Sequence, residues 1–113
     1  MNRTAGRIIL GAAIVVTVTA CGDRRLGKLT EGISKDSVAV VMGTDTPYRE
    51  EQYLTEGKNW EILMYAREDS PADTIPWRKL SPVVLADQKV VGWGWSYWEK
   101  EAERLKIPVP ADD

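Results

Sequence analysis

Apolar and polar positions change their period several times along this chain, and each change marks an element. From Ile8 to Ala20 the chain is an apolar run broken only by threonines, and Arg3 and Arg7 precede it with no acidic residue among them. The run is shorter than the roughly 20 residues that span a bilayer, so residues 1–20 read as a secretory signal peptide. "CGDRRLGK", residues 21–28, is polar and reads as a flexible leader. In "LTEGISKDSVAVVMG" the period becomes helical. Ser34 suits an N-cap, Ile33 and Val38 occupy the positions of a hydrophobic staple, and Gly43 follows as a terminator, predicting a helix over 35–42. Val38, Val41 and Met42 form its apolar stripe.

Thr44 to Lys58 carries Pro47, Gly57 and many charges, and reads as a loop with Tyr48, Tyr53 and Leu54 as packing points. Strict alternation then begins. In "NWEILMYAR", residues 59–67, Trp60, Ile62 and Met64 share one face of a strand, and Glu61, Leu63, Tyr65 and Arg67 share the other. Glu68 to Ser81, with Pro71 and Pro76, returns to loop chemistry, pinned to the body by Ile75 and Trp77. "PVVLADQKVVGWGW", residues 82–95, predicts a hairpin turning at Asp87 and Gln88, with Pro82 at a strand start or on an edge. Ser96 and Glu99 have the spacing of a capping box that opens a last helix ending before Pro108 and Pro110. Trp98, Ala102 and Leu105 line one side of it, with Glu99, Lys100, Glu103 and Arg104 in water. About three strands result.

Three of the five tryptophans fall in or beside "VVGWGWSYW", residues 90–98. Simple alternation sends Val91, Trp93 and Trp95 to one face and Val90, Gly92 and Gly94 to the other. Glycines on a strand admit another backbone, a helix or an aromatic ring. Trp93 and Trp95 then form either part of the core or an apolar platform for a partner, and Trp77 is a third candidate for that surface.

Composition narrows the chemistry. Without Arg3 and Arg7, 13 basic residues stand against 17 acidic ones, a net charge of −4 that argues against nucleic acid as partner. The chain has no histidine and a single cysteine, Cys21, so His-dependent nucleophilic catalysis and the usual zinc sites are excluded. Carboxylate pairs fall in loop or tail, at Glu50 and Glu51 or Asp112 and Asp113, and phosphate-binding glycine motifs are absent. The expectation is one small non-catalytic domain, residues 29–113, with no metal and no cofactor beyond a covalent lipid.

That lipid is implied by a resemblance. "VTAC", residues 18–21, resembles the bacterial lipobox, in which the cysteine becomes the lipidated first residue of the mature chain, here Cys21. Gly22 stands where an aspartate would signal inner-membrane retention, which favours the outer membrane, facing the periplasm. The helical motif Leu29, Gly32, Ile33, Ser34, Val38 and Gly43, with the tryptophan-bearing strand and the hairpin ending in "VVGWGW", resembles the SmpA/OmlA (BamE-like) family of small outer-membrane lipoproteins. The resemblance implies an α+β domain: a short N-terminal helix or helices packed on a three-stranded antiparallel sheet, the C-terminal helix being an addition. It also implies a membrane-anchored interaction subunit whose envelope partner is the β-barrel assembly machinery. A ligand-binding or inhibitor module using Trp77, Trp93 and Trp95 is the alternative.

Overall fold

The computed structural model describes residues 23–67 and 75–109; the segment expected to be a signal peptide, Cys21, Pro71, Pro110, Asp112 and Asp113 lie outside the described residues. Helix α1 spans Lys35–Met42. Ser34 caps it by accepting a hydrogen bond from the Ser37 amide, and Gly43 ends it in the left-handed conformation at φ 81°. Cap, stripe and terminator are all local, which is why the pattern placed this helix correctly. Val38 and Met42 are buried, each contributing roughly 1.5–3 kcal/mol.

The sheet is a four-stranded antiparallel meander, β1(Arg49–Thr55), β2(Lys58–Ala66), β3(Leu80–Ala86) and β4(Lys89–Trp93), in that spatial order. The expected three strands are therefore corrected to four. β1 lies inside the stretch read as a loop, because its apolar content is only Tyr53 and Leu54, and Leu54 is 82% exposed. Pairing with β2 from Arg49↔Met64 to Thr55↔Lys58 makes it a strand, with a two-residue turn at Glu56 and Gly57, both at positive φ. Asp87 and Gln88, also at positive φ, form the corresponding turn between β3 and β4.

Helix α2, Trp95–Leu105, follows β4 directly. Its N-cap is Gly94, which has no side-chain capping bond, so the proposed box of Ser96 and Glu99 does not form. Glu99 instead pairs with Arg78. Lys106, in the left-handed conformation, terminates the helix.

The two helices lie on opposite faces of the sheet, not together on one. Trp60, Ile62, Met64 and Val84 pack with Trp98, Ala102 and Leu105 of α2. Leu63, Tyr65, Val83, Leu85 and Val90 pack with Leu29 and with Val38 and Met42 of α1. β3 is consequently buried at every residue, which explains why its sequence is apolar without alternation. Glu61, turned toward α1, is held by Lys35 at 2.9 Å and Gln88 at 3.1 Å.

Pro82 sits third in β3, a central strand, not at a strand start or an edge. It is tolerated because its carbonyl side faces the end of β4, where Gly94 N–H donates to Pro82 O at 2.8 Å and the ladder stops. The outer edge of β4 is covered by Gly32–Ser34, through Gly32 N to Val90 O at 2.8 Å and Val90 N to Ile33 O at 3.0 Å. Among the described residues the open edge of the sheet is β1, where Arg49, Glu50 and Glu51 discourage pairing with another chain.

Candidate functional site

A cleft of about 480 Å³ opens where β2 ends, β3 begins and β4 passes into α2. Leu26, Arg67, Leu80, Pro82, Trp93 and Trp95 account for most of its character. A bulge decides which aromatics reach it. Val84 pairs with Gly92 but Leu85 pairs with Val90, leaving Val91 as the extra residue. The expected grouping of Val91, Trp93 and Trp95 on one face is thereby broken. Trp93 packs toward the α1 side with Val90, and Val91 packs toward α2. Trp95 already belongs to α2, and its indole Nε1 donates to Leu80 O at 2.9 Å.

Gly92 and Gly94 have separate reasons to be glycine. A Cβ at Gly92 would lie 2.5 Å from the Tyr97 ring, so this position admits an aromatic ring against the sheet, as its glycine suggested. Gly94 has φ 89°, a conformation that lets the chain leave the sheet and enter α2 at once.

Of the three tryptophans singled out in the sequence, Trp93 and Trp95 meet at the cleft and Trp77 does not. All three are half-buried. The Arg49 guanidinium lies 4.0 Å from the Trp77 ring centroid, and Trp77 packs on the α2-side core. Arg78 covers Trp95 at 4.7 Å. Such stacks contribute about 0.5–1 kcal/mol at exposed sites and leave less bare indole than an open platform would.

The wall opposite comes from residues that the pattern assigned to a flexible leader. Arg24–Lys28 is a 3-10 helix, and Asp23, which caps it, is 4% exposed. Asp23 Oδ2 accepts from Ser81 Oγ at 2.7 Å and from Arg25 Nη2 at 2.8 Å. Arg25 also donates to Met42 O at 2.8 Å and Ala66 O at 2.7 Å, tying α1 and β2 to the leader. Burial works against the charged form of Asp23, but the bonds from Arg25 and Ser81 outweigh it and hold the carboxyl below its ordinary value. Sequence reasoning missed this clamp because its members lie up to 58 positions apart. Arg67, at the end of β2, has a buried Nε without an acceptor among the described residues.

The clamp fixes Asp23 against β3, and Cys21, two positions earlier in the sequence, lies outside the described residues. Among the described residues no helix is long and apolar enough to cross a membrane. Comparison with known proteins finds no matching family model, no matching curated protein and no matching solved structure.

Proposed function

We propose that this chain is a non-catalytic lipoprotein of the bacterial envelope, anchored through Cys21 in the outer membrane, facing the periplasm, and acting as an interaction or assembly subunit. The observation that carries the reading is the junction at residues 18–25: a signal-peptide pattern ends at the single cysteine, and two residues later Asp23 is clamped into the domain. A domain attached so closely to its anchor is suited to work at the membrane surface. The narrower assignment, to outer-membrane β-barrel assembly, is supported by the helical motif from Leu29 to Gly43. Within it Ser34 caps α1 and Gly43 ends the helix in the left-handed conformation. In-cell crosslinking and affinity purification from native membranes tests it, with Cys21→Ala as the unanchored control. Recovery of the barrel-assembly complex by the wild type, reduced in the control, is the expected result. Recovery of no membrane complex at adequate expression would sink it.

The cleft favours a second reading, a periplasm-facing ligand-binding or inhibitor module centred on Trp93 and Trp95. A saturable shift of tryptophan fluorescence on adding peptidoglycan fragments, lost in Trp93→Ala, would establish it.

A further inference from the structure

We infer that the cleft face of the domain rests on the bilayer interface, with Trp93 and Trp95 among the lipid headgroups. The inference deepens the lipoprotein reading and rests on it. Three observations converge on this face. Asp23 lines the cleft and is buried in its clamp, so chain connectivity confines a lipid on Cys21 to the cleft's immediate neighbourhood, with only Gly22 between the two. A long leader would let the domain tumble; this one fixes which side looks at the membrane.

Charge supplies the second observation. Leu26 and Gly27 line the cleft, and exposed Arg24 and Lys28 stand on the same 3-10 helix. Arg67 is the cation of the lining itself, and its Nε has no acceptor among the described residues. The one carboxylate of the lining, Asp23, is neutralised by Arg25 at 2.8 Å. The cleft lining and the 3-10 helix that contributes to it thus carry basic residues on a chain whose net charge is negative, a polarity that suits anionic headgroups.

The aromatic residues supply the third. Trp93 and Trp95 are half-buried at the cleft, Trp95 with its Nε1 held on Leu80 O and Arg78 stacked on its ring, so that indole rings and a guanidinium stand together where an apolar-polar boundary would lie. Tryptophans gather at that boundary because the ring is apolar and its edge is polar. The acyl chains supply attachment, and the face supplies orientation.

The test uses the full lipidated protein, purified from membranes and reconstituted into vesicles of phosphatidylethanolamine and phosphatidylglycerol with brominated acyl chains. Bromine quenches tryptophans that lie within the bilayer interface. Quenching of the wild type is expected to fall at least about 2-fold in Trp93→Phe/Trp95→Phe and to persist in Trp77→Phe. A second pair of substitutions avoids any folding defect: Arg24→Gln/Lys28→Gln changes only exposed side chains. It is expected to reduce quenching roughly 2-fold or more in phosphatidylglycerol vesicles and little in neutral ones. Vesicle-bound wild type that shows no quenching, or quenching indifferent to Trp93 and Trp95, overturns the orientation and leaves the anchor standing. Wild type that fails to float with vesicles, or floats no better than Cys21→Ala, removes the anchor and the orientation with it.

Discussion

At Gly92 the sheet forgoes a side chain so that the first turn of α2 can lay Tyr97 across the strand. Gly92→Ala is expected to cost about 1–3 kcal/mol by forcing the ring outward. Replacing Tyr97 with leucine in the same background should return part of that loss, a coupling that urea denaturation of the four-member cycle measures. Asp23 is the other residue on which much depends. Its carboxyl titrates below the ordinary 3.8 when folded, so its contribution is complete above that value and disappears as pH falls through the lower, folded one. Asp23→Asn should lower the melting temperature near neutrality and flatten the acid limb below about pH 4. A melting profile as steep in the variant as in the wild type would show that other carboxylates set the limb. Neither residue announces itself: the glycine at 92 implies room for something but not the identity of the ring, and Asp23 stands in a stretch whose composition is that of a flexible leader.

The elements differ in how far they could be read, and the difference follows the range of the forces that make them. α1 is specified within its own ten residues by Ser34, by the stripe of Val38 and Met42, and by Gly43. Ser34→Ala is therefore expected to cost about 1 kcal/mol. Ser96→Ala should be nearly neutral, within about 0.5 kcal/mol, because Gly94 and not Ser96 begins α2. Thermal denaturation of the two variants side by side distinguishes a true cap from a spacing that only resembles one. β1 shows the opposite dependence. "REEQYLT" has little intrinsic claim to be a strand and becomes one through seven paired positions and the turn at Gly57. The bulge at Val91 is also a property of two strands in register, so no single-strand alternation could place Trp93 and Trp95. What sequence did reveal at the site was their presence; what it concealed was the cleft's other wall, made by Asp23, Leu26, Arg67 and Ser81 from distant segments.

At the scale of the molecule, β2 belongs to both hydrophobic layers, Ile62 facing α2 and Leu63 facing α1. Truncation to alanine at either position should cost about 2–5 kcal/mol. Each should shift a single transition, seen at one midpoint by far-ultraviolet and near-ultraviolet circular dichroism, since the shared strand makes the layers interdependent. Two separated transitions would mean that one helix can leave without the other. The order in which this unit assembles follows from the Asp23 clamp. Every strand pairs with its neighbour in sequence, and both tight hairpins close over two residues, so most of the sheet can form early and quickly. Asp23 and Ser81 are 58 positions apart, and their bond requires β3 to be in place first. Ser81→Ala should hence accelerate unfolding and leave the refolding rate nearly unchanged. Under the proposed anchor at Cys21, that sequence of events would make the clamp a latch: the domain completes itself on a loose leash and is drawn close to its attachment point only once it is whole.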